Sequence, residues 1–244
     1  MALPRFFCET PLRAHHTLEL PDALAHHALR VLRLKHGARV LLFDGQGGQY
    51  EATLLADGAK ALAQTGAHQA MEAELPGRII LAQGIASGDK MDWIVEKAVE
   101  LGAHRLAPIA ARRSVLQLSG ERLAKRRRHW QRIAQSASEQ CGRNRLMEVD
   151  EPRTLDAWLA AGEARGLVLL CHPEAALGLD EALARDDARD ITLLVGPEGG
   201  WSPDELALAD RHGAVRARFG PRVLRTETAG LALMAAVSAL RGWN

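Results

Sequence analysis

A chain of 244 residues is long enough for one large domain, or a medium one with a small companion, and either can bury a core of its own. A hydrophobic fraction of 47% beside 25% charged residues excludes a disordered or fibrous class and indicates a folded, soluble protein. A net charge of +1 says nothing by itself for or against a nucleic-acid partner.

In chain order, HTLEL at 16–20 is extended and residues 21–35 carry a helical apolar pattern. Strands at 38–44 and 49–56 then meet across Gly45 to Gly48. Asp44-Gly45 and Asp57-Gly58 supply tight-turn chemistry, so a small β-barrel or meander is expected over roughly the first seventy residues. The polar stretch AMEAELPG ends in Pro76-Gly77 and marks a boundary, placed between domains at 1–72 and 73–244. Beyond it, apolar strands at 78–84, 105–109, 167–171, 191–196 and 214–220 alternate with helices at 89–102, 119–140, 154–164, 203–212 and 227–241. That alternation predicts an α/β fold with a parallel sheet covered by helices on both faces.

Charge is unevenly spread. Between 111 and 147 ten basic residues face only Glu121 and Glu139, whereas from 151 to 190 nine acids face four arginines. A polyanion would bind the first region and avoid the second. The cysteines, Cys8, Cys141 and Cys171, form no C-x-x-C pair, so no zinc or other metal site is expected and a reduced, cytoplasmic compartment fits. The start, MALPRFFCETPLRAHH, has no apolar core of signal-peptide length, and the longest uncharged tract near the end, AGLALMAAVSAL, is too short to span a bilayer, so neither secretion nor a membrane association is expected.

Two segments carry chemistry. The apolar strand ITLLV runs into GPEGGWSPDE, where Ser202, Pro203 and Glu205 have the pattern of N-cap, first helical residue and capping-box partner. The glycine loop thus follows a parallel strand, where open α/β sheets bind ligands. Gly196, Gly199 and Gly200 match neither standard nucleotide-phosphate fingerprint, and Glu198, Asp204 and Glu205 would repel phosphate. A ligand without phosphates, carrying a positive centre, is expected there. The second segment, FGPRVLRTETAGLALMAAVSAL, places a glycine-proline turn and Arg225-Thr226-Glu227-Thr228 ahead of a helix apolar nearly all round, which must be buried in the core or against another subunit.

GPEGG after a strand, followed by GPRVLRTETA, closely resembles the RsmE-type family of small-subunit ribosomal RNA uridine-N3 methyltransferases, members of the SPOUT superfamily. PRFF, LRVLR, KAVELGAHRLAPI, ARRSV, SEQCGRNR and CHPEA resemble family signatures in the same order, so the resemblance covers nearly the whole chain. It implies an amino-terminal PUA-like β-barrel domain that binds RNA, a trefoil-knotted carboxyl-terminal domain, a homodimer, and S-adenosylmethionine as methyl donor for N3 of one uridine in 16S RNA, free or in the 30S particle. Other readings are a ribose 2'-O methyltransferase of the same superfamily and a ribosome-binding module without activity.

The resemblance maps cofactor contacts onto Cys171 and His172, onto Gly196, Pro197, Glu198, Gly199 and Gly200, and onto Gly220, Val223, Leu224, Arg225 and Thr228. Val223 and Leu224 would flank the adenine. Uracil N3 carries a proton and is a poor nucleophile until that proton leaves, so a base or a stabiliser of the anion is needed. Arg225 is the candidate stabiliser, and Glu198, Glu227 and His172 are candidate bases. RNA contacts are expected at Arg5, Arg30 and Arg33 in the first domain, and at Arg112, Arg113, Arg126, Arg127, Arg143 and Asn144 in the basic segment. Lys125 to Arg128 also fit a solvated helix face.

Overall fold

The computed structural model describes residues 3–57, 60–114 and 120–243, which form two compact units. The expected turn residue Gly58, the expected helix start Ser119 and Val115 of ARRSV lie outside the described residues.

The first unit comprises the chain to Glu74 together with Ser138–Leu146. Its strands are β1 (Arg5–Phe7), β2 (Thr17–Glu19), β3 (Arg39–Phe43), β4 (Gln49–Asp57) and β5 (Lys60–Gln69), in the order β1-β3-β4-β5-β2. β3, β4 and β5 form the antiparallel meander; β1 joins β3 in parallel. In β5 alternate residues Ala61, Ala63 and Thr65 are buried, against the exposed Lys60 and Gln64. The segment read as one helix over 21–35 is shorter: α1 (Asp22–His26) passes into a wider π turn at His27–Val31. The core joins Phe6, Leu42 and Leu54 to Leu24 and Ala28.

The returning piece 138–146 is built into this unit. Arg143, 3% exposed, donates twice to Glu74, from Nε at 3.0 Å and Nη2 at 2.6 Å, a bidentate charge-assisted pair. Asn144, 1% exposed, donates to the Met71 carbonyl at 2.6 Å and accepts from Arg5 Nη2 at 2.8 Å. Arg5 also donates to Gln49 and lies over the Phe43 ring.

The second unit holds β6 (Arg78–Gly84), α2 (Lys90–Glu100), β7 (Arg105–Ile109), most of α3 (Gly120–Cys141), β8 (Glu148–Val149), α4 (Leu155–Ala160), β9 (Leu167–Cys171), β10 (Leu177–Gly178), α5 (Leu179–Leu183), β11 (Asp190–Val195), α6 (Pro203–Arg211), β12 (Val215–Arg218) and α7 (Thr226–Leu240). Its seven strands, in the order β10-β12-β9-β11-β6-β7-β8, pair in parallel throughout.

Burial on both faces explains why β6 and β11 are continuous apolar runs. Ile80 and Ala82 of β6 and Leu194 of β11 pack with Trp158 of α4 and Ala209 of α6. On the opposite face α7 lies so near that a Cβ on Gly230 would stand 3.2 Å from Leu81 Cδ1, and α2 packs against α7. α7 is apolar all round but buried on one side only, through Ala229, Gly230, Leu233, Met234 and Val237. Ala235, Ala239 and Leu240 on its other side are exposed, Leu240 at 56%.

Candidate active site

The carboxyl ends of β12, β9 and β11, three neighbouring strands, open onto one cavity of about 550 Å³, a size typical of small-molecule sites. Three loops line it: Cys171 to Pro173 after β9, Gly196 to Trp201 after β11, and Phe219 to Arg225 after β12. Lys90, the first residue of α2, Arg113, and Thr226, Glu227 and Ala229 at the start of α7 also line it.

Local chemistry fixes the glycine loop. Ser202 caps α6 by accepting from the Glu205 amide at 3.3 Å, and Glu205 returns a bond to the Ser202 amide at 2.8 Å. The second oxygen of Glu205 accepts from the Arg112 amide at 2.9 Å, and Asp204 pairs with the Arg112 side chain. Two of the acids read as a negative field around the loop are therefore consumed in fixing its exit. The third, Glu198, accepts at Oε1 from the Ser87 amide at 3.0 Å, from Ser87 Oγ at 2.7 Å and from Lys90 Nζ at 2.9 Å. Burial opposes its ionisation, but these donors prevail and bring its pKa down to about 2. Close approach demands the glycines: a Cβ on Gly84 would lie 2.5 Å from Pro197 Cδ, and one on Gly199 2.9 Å from the Arg113 carbonyl oxygen.

The lining has four cations, Lys90, Arg113, Arg222 and Arg225, against two carboxylates, Glu198 and Glu227. That corrects the expectation of an acid-dominated loop, which counted residues near in sequence and missed Lys90 and Arg222. Arg225 is exposed, and its side chain makes no hydrogen bond or ion pair among the described residues. Glu227 Oε2 is buried without a hydrogen bond among the described residues, with Lys90 Nζ 3.9 Å away. His172 Nδ1 accepts from the Glu174 amide at 3.2 Å, so the neutral ring carries its proton on Nε2. Burial pushes the Cys171 thiol up to about 11, which keeps it protonated and unreactive.

Residues 73–238 match the family model described as an RNA methyltransferase domain, and residues 20–63 match an RNA methyltransferase PUA domain. The ribosomal RNA small subunit methyltransferase E of Mycobacterium tuberculosis is 31% identical over 218 residues, spanning 88% of this chain and 83% of that protein. This chain belongs to the ribosomal RNA small subunit methyltransferase E family. The Bacillus subtilis methyltransferase E is 29% identical over 91% of this chain and 90% of its own length. The crystal structure of the Neisseria gonorrhoeae methyltransferase E bound to S-adenosyl methionine superposes with a TM-score of 0.89 at 34% identity, covering 98% of both chains.

In this chain the cavity brings together most of the residues expected from the sequence: Cys171, His172, Gly196, Pro197, Glu198, Gly200, Val223, Leu224 and Arg225. Gly199, Gly220 and Thr228 are outside its lining; Gly199 packs on Arg113, Gly220 turns the chain at φ +68°, and Thr228 is exposed on the first turn of α7. Lys90, Arg222 and Thr226 line the cavity without having been selected as site residues, and Glu227 enters beside them. Among the expected RNA contacts, Arg143 and Asn144 are buried and bonded internally, Arg143 to Glu74 and Asn144 to the Met71 carbonyl. Arg5 is half-buried in the same network. Arg30, Arg33, Arg112 and Arg113 are exposed, Arg126 is half-buried, and Arg127 donates to the Val149 carbonyl at 3.0 Å. No cluster of three or more metal-ligating side chains and no helix long and apolar enough to cross a membrane occurs among the described residues.

Proposed function

We propose that the chain is an S-adenosylmethionine-dependent methyltransferase acting on N3 of one uridine of small-subunit ribosomal RNA. The observation that carries this reading is the convergence of the glycine loop and the Leu224-Arg225-Thr226 bend on one cavity, in the domain that matches the RNA methyltransferase model. The cofactor's carboxylate and sulfonium suit a lining that holds charges of both signs, and its adenine suits the apolar Val223 and Leu224. The loops at Cys171-His172, Gly196 to Gly200 and Gly220 to Thr228 would hold it. When bound it supplies the methyl group.

The chain's own part is alignment, exclusion of water and proton handling. Arg225, unpaired at the cavity wall, faces the anion that uracil becomes on losing its N3 proton. Glu227 takes that proton. Glu198 is a poor acceptor because its three donors hold it as an anion down to about pH 2, and the His172 Nδ1 lone pair is engaged by the Glu174 amide. Residues 1–72 serve as the PUA-like RNA-binding domain and 73–244 as the knotted catalytic domain. The exposed apolar side of α7 supports a homodimer, and the cytoplasm is the compartment in which ribosomal RNA, free or in the 30S particle, is met.

Mass mapping of ribosomal RNA from cells with and without this protein tests the reading. Loss of one methyl group from a small-subunit uridine base is expected. Loss from a ribose would place the reaction at the 2'-hydroxyl, and an unchanged RNA would leave a binding module without activity.

A further inference from the structure

We propose that Gln83 and Thr226 are positioning residues that lock the two cofactor loops together through one relayed hydrogen bond. This rests on the methyltransferase reading above and adds residues to its site.

Gln83 is fully buried near the end of β6, where backbone pairing places it beside Val195 of β11. Its Nε2 donates to the Gly84 carbonyl at 3.0 Å and to Thr226 Oγ1 at 2.8 Å. Having accepted that hydrogen, Thr226 Oγ1 directs its own single proton to the Gly196 carbonyl, 2.6 Å away. The relay thus runs from a central strand to the start of α7 and on to the first residue of the glycine loop.

Two features separate this from ordinary helix capping or core filling. The N-cap of α7 is Arg225, whose side chain makes no capping bond, so the Thr226 hydroxyl serves the neighbouring loop and not its own helix. Gln83 Oε1 is buried with no hydrogen-bond partner among the described residues, so a leucine or methionine would fill the space with fewer polar atoms to satisfy. What the amide contributes that an apolar side chain would not is its donation to the Gly84 carbonyl and, across to the start of α7, to Thr226. Thr226 stands between Arg225 and Glu227, so the relay fixes the angular position of both relative to Gly196.

Calorimetric titration with S-adenosylmethionine, beside steady-state kinetics on a small-subunit RNA fragment, tests this. Thr226→Val keeps the shape and removes the hydroxyl, and is expected to weaken cofactor binding about tenfold, in line with loss of a buried hydrogen bond. Thr226→Ser should stay within about twofold of wild type, with RNA affinity unchanged in both. Should Thr226→Val fail to fold, Gln83→Met carries the same expectation, and where both fold the double variant should be no weaker than the weaker single, since they break one chain. Cofactor binding at the wild-type level by Thr226→Val or Gln83→Met, or a parallel fall in RNA affinity, overturns the proposal while leaving the methyltransferase reading intact. Wild-type protein that takes up no cofactor overturns both.

Discussion

Glu198 and Glu227 line the same cavity, yet among the described residues only Glu198 is held by hydrogen bonds. Three donors converge on Glu198 Oε1, whereas among the described residues Glu227 has the Lys90 ammonium at 3.9 Å and no hydrogen bond to its Oε2. Glu227→Gln, nearly identical in shape, is therefore expected to lower kcat by about 10²- to 10⁴-fold with little change in cofactor affinity, as removal of a general base does. Arg225→Ala should also lower kcat, by about 10²- to 10³-fold, and a Kd for cofactor that rises equally would move Arg225 from chemistry to binding. Single-turnover methyl transfer beside calorimetry separates these outcomes. Arg225 and Glu198 were legible in the sequence because they sit inside spelled-out motifs. Lys90 was not: in GDKMDW nothing distinguishes a lysine at a helix start from a solvated one, and its role comes from Glu198, 108 residues away in the chain.

Elements were legible where local chemistry and burial agree. The Ser202-Pro203-Glu205 start of α6 is set by its own side chains, and β6 and β11 announce themselves as apolar runs. The strand β5 is spelled KALAQTGAHQ; its inward positions are small, and alanine carries little strand preference, so the pairing with β4 and β2 decides it. The two-residue strands β8 and β10 are defined by neighbours alone. Between β6 and β11 the fit is tight enough to test. Gly84→Ala would drive a methyl group into Pro197, costing about 1–3 kcal/mol as overpacking does, and its unfolding midpoint should fall while that of Gly88→Ala, with open space around it, reflects only the φ of +59°. The Glu198 clamp has a pH signature. Its carboxyl is held below the ordinary value of 4.5, so the stability it adds is complete above about pH 4.5 and fades as pH drops toward about 2. A Glu198→Gln variant should lose that acid-side slope, read from denaturation midpoints across this interval, and converge with wild type at its lower end.

Across the whole molecule the net charge of +1 conceals a ridge. Arg122, Lys125, Arg128 and Arg132 recur along α3 at spacings of three and four and are all exposed, so they share one side of the helix. Arg127, from the same run, is half-buried, donating to the Val149 carbonyl and standing 3.6 Å from Glu151. The sequence showed ten basic residues in this region but not this division, because helical phase alone does not say which side the sheet will cover. A ridge that grips phosphates releases counterions, so affinity for a small-subunit RNA fragment should fall steeply with salt, by about 0.7 to 0.9 in log–log slope for each contact. Replacing Arg122, Lys125, Arg128 and Arg132 together with glutamine should flatten that slope by about 3 and raise KM for RNA. Cofactor affinity and kcat at saturating RNA should hold, since none of the four lines the cavity. A variant with the wild-type slope would assign the four residues to a solvated face and transfer the electrostatic grip to Arg30 and Arg33 in the first unit, where the same substitution and the same salt titration apply.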